Sequence, residues 1–141
     1  MTRLVALLAA LTLTLGALVH LYWALGGRTA WVAALPEVNG RPTFTPRASM
    51  TLGVAAALLL AALLVAVTGG VLADPLPRAV ARALTGLLAL VFLARAVGDF
   101  RLVGFFKRVR GTRFARLDSA LYAPLCLVLG LATLWVAGAA P

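Results

Sequence analysis

Acidic residues are scarce in this chain. Of 141 residues only four are acidic (Glu37, Asp74, Asp99 and Asp118), and charged residues of both signs make up 12%. A soluble domain carries about 25%, so a water-exposed surface of ordinary polarity is excluded. The single cysteine, Cys126, excludes an intramolecular disulfide and a cysteine-based metal cluster. The single histidine, His20, has no second histidine or cysteine pair to complete a ligand set. Neither a metal nor a cofactor is expected.

What the chain has in abundance is apolar length. Hydrophobic residues make up 63% and the mean hydropathy is +1.04. Four apolar runs cover residues 4–25, 50–72, 79–97 and 119–138. Each is close to the ~20 residues that cross a ~30 Å hydrocarbon core at ~1.5 Å per residue. Backbone polar groups in lipid must be satisfied within the segment, so these runs are helices. The expected fold class is all-α: an integral membrane four-helix bundle, with residues 1–141 as one domain and no room for a soluble one. The first run exceeds the ~7–15 apolar residues of a signal peptide and has no convincing cleavage site before Tyr22 and Trp23. It reads as a mature helix.

The net charge of +9 reports topology once it is read by position. Arg28, Arg41 and Arg47 lie between spans one and two; Arg101, Lys107, Arg108, Arg110, Arg113 and Arg116 lie between spans three and four. The opposite end has Arg3, Arg78 and Arg82, on either side of a tight turn through Asp74 and an uncharged tail ending at Pro141. Nine basic residues against three place both long loops in the cytoplasm and both termini outside. Connectivity alone puts the two long loops at one end, with His20, Tyr22, Trp23, Arg95, Asp99, Asp118 and Tyr122.

The first loop, 26–49, contains the apolar stretch Ala30 to Leu35 around Trp31, which a disordered linker would lack. It is expected to form a short interfacial helix or re-entrant turn, a structured loop over one face of the bundle. Trp31 then either roofs the bundle mouth or anchors the loop at headgroup depth. In span one, Ala9, Thr12, Gly16, His20 and Trp23 recur at helical spacing, and a small, polar stripe should face other helices. His20 is expected to point inward, either hydrogen-bonded to a neighbouring helix or exchanging protons near neutral pH. Span two repeats small residues at Gly53, Ala57 and Ala61, and span four carries a stripe through Ser119, Tyr122, Cys126, Gly130 and Thr133.

Arg95 and Asp99 are four residues apart and are expected to pair across one helix turn, or to snorkel to the interface. Asp118 reads as a cap at the start of span four. The third loop, 100–117, interleaves six basic residues, five of them arginine, with Phe105, Phe106 and Phe114. It is expected either to lie on anionic headgroups or to grip phosphate or carboxylate through the arginine fork. No nucleic-acid-binding fold accompanies the charge, so nucleic acid is not an expected partner.

The residues His20-Leu-Tyr22-Trp23-Ala-Leu-Gly26-Gly27, Trp31, Ala34-Leu35-Pro36, Gly98-Asp99-Phe-Arg101-Leu-Val-Gly104-Phe105-Phe106-Lys107-Arg108, Thr112, Phe114-Ala115, Asp118 and Tyr122-Ala-Pro124-Leu-Cys126 resemble the bacterial membrane family catalogued as domain of unknown function 3995. The resemblance spans nearly the whole chain and implies a small four-span protein of the bacterial inner membrane, with no activity attached. A small multidrug exporter would carry a glutamate in its first span, and span one here has no acid. A likeness to four-span proteins that bind or isomerise sterol-like lipids holds at the level of fold alone.

Three functions remain. The first is a binding protein for an anionic amphiphile or lipid, with His20, Tyr22, Trp23, Trp31, Arg95, Asp99, Arg101, Arg108, Arg113 and Tyr122 forming the site. The second is a membrane enzyme acting on a lipid or isoprenoid phosphate, with His20 as acid or base, Asp99 or Asp118 orienting it, and Arg101, Arg108 or Arg113 stabilising negative charge. The third is a small transporter or an assembly subunit. Membrane lipids are the expected partners, and a homo-oligomer is compatible with each reading.

Overall fold

In a computed structural model the chain is described over residues 1–73 and 75–139; the turn residue Asp74 and the tail end Pro141 lie outside these. Helix α1 spans Thr2–Ala24, α2 Ala48–Thr68 and α3 Arg78–Val97. The fourth long helix is continuous from Arg113 to Ala139, made of α4 (Arg113–Leu117), a π turn (Asp118–Tyr122) and α5 (Ala123–Ala139). All four are long and apolar enough to cross a membrane. The protein is an all-α, multi-pass membrane bundle.

Small residues set the packing. The core joins Ala6, Ala9, Ala10 and Leu13 of α1 to Ala61, Ala62, Val65 and Ala66 of α2, with Leu129 and Val136 of α5. A Cβ added at Gly69 would run into Ala6, and one at Gly130 would press on Leu93 at 2.7 Å. Backbones therefore approach closely, as lipid-embedded helices require in the absence of a hydrophobic drive between them. Of the α1 stripe predicted from Ala9, Thr12, Gly16, His20 and Trp23, Ala9 is buried in the core, and the other four are half-buried and flank the seam, which runs through Ala6, Leu13 and Ala17. On α2 the predicted Ala61 is buried, but Gly53 and Ala57 are exposed, and Thr51, Ala55, Ala62 and Val65 face inward. Alanine is so common in both helices that small size alone does not mark one face.

Arginines close the end away from the long loops. The Arg3 Nε donates to the Gly70 carbonyl at 2.7 Å, and Arg82 donates to the carbonyls of Ala137 and Gly138 at 2.8 and 3.1 Å. These oxygens lie at helix C-termini, where cations are favoured and carbonyls lack intrahelical donors. Beneath them the buried Thr68 hydroxyl donates to the Ala81 carbonyl and accepts from Thr85 at 2.8 Å, joining α2 to α3.

The fourth helix starts six residues before the predicted Ser119. Thr112 is its N-cap, accepting from the Ala115 N–H at 3.0 Å. Pro124 then lies within the helix. It has no N–H for the Ala120 carbonyl, and its ring crowds that oxygen, so the chain widens into the π turn. The extra residue re-phases the helix: Phe114, Ala115 and Asp118 are buried ahead of it and Ala123 after it, a step of five where a regular helix would step by three or four.

Candidate functional site

Asp118 is the centre of the loop-bearing end. Its side chain is fully buried, with Oδ1 accepting from Arg95 Nη2 at 2.8 Å and Oδ2 from the Gly104 N–H at 2.7 Å and Lys107 Nζ at 3.0 Å. Lys107 is 2% exposed and uses its other donors on the Gly104 carbonyl at 2.8 Å and Ser119 Oγ at 2.7 Å. One carboxylate thus ties α3, the third loop and the fourth helix together. It is a mid-helix anchor, not the N-cap expected from the sequence. With both oxygens engaged by cationic donors, it is not free to act on a bound molecule.

The expected Arg95–Asp99 pair is absent for a backbone reason. Gly98, at φ 96°, ends α3 before the turn that would bring residue 99 onto the face of residue 95. Asp99 instead accepts three N–H groups at one oxygen, from Arg101, Leu102 and Val103 at 2.7–3.0 Å. Desolvation raises its carboxyl pKa, but the N–H groups of Val103, Leu102 and Arg101 outweigh this and hold it below the ordinary aspartate value. The loop then folds back on the end of α3, with Phe105 N–H bonded to the Ala96 carbonyl at 2.8 Å. A Cβ on Gly98 would strike the Val103 carbonyl and one on Gly104 would strike Gly98, and both glycines have positive φ. Only glycine fits this crossing.

The first loop has the expected short helical turn in its apolar stretch and, in addition, a hairpin that was not expected. It holds a 3₁₀ turn (Val32–Ala34) and a two-stranded hairpin, β1 (Glu37–Val38) with β2 (Arg41–Pro42). Asn39 and Gly40, both at positive φ, make the turn, a pair favoured in tight hairpins. Ala33 and Leu35 are buried, and Tyr122 donates to the Ala33 carbonyl at 3.4 Å while its ring lies 6.1 Å from that of Phe114. Trp23 Nε1 donates to the Thr29 carbonyl at 2.9 Å, and the exposed Tyr22 hydroxyl bonds that of Thr29 at 3.1 Å.

Beneath this loop lies a cleft of about 270 Å³ lined by His20, Trp23, Trp31, Leu35, Phe44 and Met50 among others. It adjoins a second depression of about 410 Å³ that shares Trp23, Trp31, Pro46 and Thr51 with it and adds Gly26, Gly27, Arg28 and Thr45. His20 packs edge-on to Trp23 at 5.1 Å and bonds the Gly16 carbonyl through Nδ1 at 2.8 Å. A carbonyl only accepts, so Nδ1 carries the proton; Nε2 has no hydrogen-bond partner among the described residues.

The predicted site residues fall into groups. His20, Trp23 and Trp31 meet in the cleft, while the Tyr22 ring packs against Gly27 of the adjoining depression. Arg95 and Asp118 meet at the buried anchor; Asp99 belongs to the loop turn, and Tyr122 links the 3₁₀ turn to the fourth helix. Arg101, Arg108 and Arg113 are exposed, line neither cleft region, and make no side-chain hydrogen bond or ion pair among the described residues. Among the described residues no carboxylate bonds His20, whose Nδ1 is on the Gly16 carbonyl. Sequence reasoning missed Lys107 as a buried residue, although it is the one lysine among thirteen basic residues. Among the described residues no three His, Cys, Asp or Glu side chains are grouped to hold a metal ion.

No curated protein and no solved structure matches this chain. The family model described as Protein of unknown function (DUF3995) matches residues 13–133, a stretch that includes both long loops, the cleft residues and the Asp118 anchor, and the chain belongs to that family.

Proposed function

We propose that this membrane protein binds an anionic amphiphile at the loop-bearing end of its bundle, with the apolar part under the first loop and the anionic group toward Arg28. The observation that carries the reading is the change in lining between two adjoining depressions that share Trp23, Trp31, Pro46 and Thr51. One is formed by His20, Leu35, Phe44, Met50 and Val54. The other is formed by Gly26, Gly27, Arg28 and Thr45, with the two tryptophans between them. Apolar walls remove a hydrocarbon portion from water, and few polar groups suffice to orient the ligand. Arg28 supplies a charge-assisted contact, and His20 Nε2 accepts from a hydroxyl or, when protonated, donates. The nine-to-three distribution of basic residues favours a cytoplasmic position for this end, in a bacterial inner membrane.

Native mass spectrometry of the detergent-purified protein tests the reading. Wild type should retain one lipid species at defined stoichiometry, and Trp31→Ala and Arg28→Gln should lose it. Arg41→Gln, which removes the same charge from the hairpin outside the depression, should keep it. Equal loss in Arg28→Gln and Arg41→Gln, or retention in all variants, would overturn it.

A further inference from the structure

The third loop contains a second pocket, separate from the cleft under the first loop, with a volume of about 430 Å³. Lys107, Arg110, Arg116, Ser119 and Phe105 are in its wall, and no acidic residue is. Asp118, next to Ser119 in the chain, is committed to Arg95, Lys107 and the Gly104 N–H. Two cations against one carboxylate leave one positive charge in excess at that anchor. Arg110 and Arg116 add two more, and neither forms an ion pair among the described residues. Each spends one donor on a backbone carbonyl: Arg110 Nε on Lys107 at 3.4 Å, Arg116 Nη1 on Gly111 at 2.9 Å. These bonds hold the guanidinium groups while leaving other N–H donors unused.

Lys107 adds a directional element. Its Nζ donates to Ser119 Oγ, so that oxygen acts as acceptor toward the lysine and keeps its own proton to donate. The lysine is a positioning residue, because its three donors are used within the fold. The pocket therefore gathers two arginine forks and an oriented hydroxyl, all donors, in a setting of uncompensated positive charge. We infer that this pocket binds a phosphate group, held by Arg110, Arg116 and Ser119. A tetrahedral anion with several acceptor oxygens uses forks and a hydroxyl together, and a dianion offsets more of the excess charge than a carboxylate does. The bearer is either a lipid headgroup or a soluble phosphate. This site is independent of the cleft, with which it shares no lining residue.

The experiment uses the full chain in neutral detergent, titrated with phosphatidic acid or with inorganic phosphate and followed by native mass spectrometry and calorimetry. Three variants separate a built site from diffuse charge: Arg110→Gln/Arg116→Gln, the charge-matched Arg101→Gln/Arg108→Gln, and Ser119→Ala. One saturable site is expected in wild type and in the charge-matched pair. Affinity should fall below detection in Arg110→Gln/Arg116→Gln and by about tenfold in Ser119→Ala, as for the loss of one charge-assisted hydrogen bond. Saturable binding of inorganic phosphate that displaces phosphatidic acid assigns the site to soluble phosphate; binding of phosphatidic acid that phosphate does not displace assigns it to a headgroup. Equal weakening in the two double variants, no weakening in either, or no saturable binding of either probe to wild type would overturn the inference. Loss on Trp31→Ala would also overturn it, since the phosphate would then belong to the cleft. Failure of the cleft reading alone leaves this binding intact.

Discussion

Replacing Asp118 by Asn should destabilise the protein more than replacing Lys107 by Met, and the double variant should be more stable than Asp118→Asn alone. Asp118→Asn keeps the volume but removes the one negative charge, among the described residues, paired with Lys107, whose side chain is 2% exposed, and with Arg95, whose side chain is 33% exposed. Arg95 recovers part of its loss by moving toward solvent. Lys107 cannot, so the cost should approach the ~3–5 kcal/mol of an orphaned buried charge. Lys107→Met leaves Asp118 with Arg95 and the Gly104 N–H, and its cost should be nearer ~1–2 kcal/mol. In the double variant no buried lysine charge remains, so part of the Asp118→Asn loss returns as coupling. Thermal unfolding in detergent is a suitable assay, with Asp118→Asn lowering the midpoint by roughly 10 °C at about 3 °C per kcal/mol. Additive single losses, or an Asp118→Asn shift within a degree or two of wild type, would refute the buried anchor.

Asp99→Ala should raise amide hydrogen exchange at Arg101, Leu102 and Val103 with little effect on the four long helices, read by exchange mass spectrometry. Because the folded Asp99 pKa is lowered, its contribution is present above the unfolded pKa and fades as pH falls through the folded one. Protection of these three amides should therefore drop at acid pH in wild type, and an acid-independent pattern would contradict the three-bond turn. Gly104→Ala should reduce the yield of monodisperse protein far more than Gly53→Ala, because a Cβ at Gly104 meets backbone and one at Gly53 meets nothing within 4 Å; size-exclusion chromatography compares them. On a Cys126→Ser background, cysteines placed at Gly40 and Thr112 should label from the same side of the membrane in intact cells, and labelling from opposite sides would break the four-span connectivity.

Hydropathy makes the number of spans and the meeting of the two long loops readable from sequence, because lipid demands long apolar helices whatever their packing. Rotation about each axis is not readable in the same way. Gly53 and Ala57 share the size of Ala55 and Ala62, and only the fit of α2 against α1 decides which pair is buried. The error at Arg95 has a more local origin. The four-residue rule holds only while the helix continues, and Gly98 was a visible stop signal. Asn39-Gly40 was likewise a visible hairpin signal within a loop read as helix or re-entrant turn. Pro124 inside the fourth apolar run was a visible sign that the helix would be irregular there, since it leaves the Ala120 carbonyl without a donor. The pairing of Lys107 with Asp118 joins residues eleven apart through a folded loop, and no spacing rule announces it.

Asp118 is carried by the last of the four spans, while Arg95 and Lys107 precede it in the chain. During synthesis the two cations are made first, and their counter-charge follows on the segment that completes the bundle. The basic loop cannot draw Lys107 inward until that segment arrives, because a lone buried ammonium is too costly to desolvate. Burial of Lys107 thus depends on the fourth helix, and a chain cut before Arg113 would leave its ammonium in solvent.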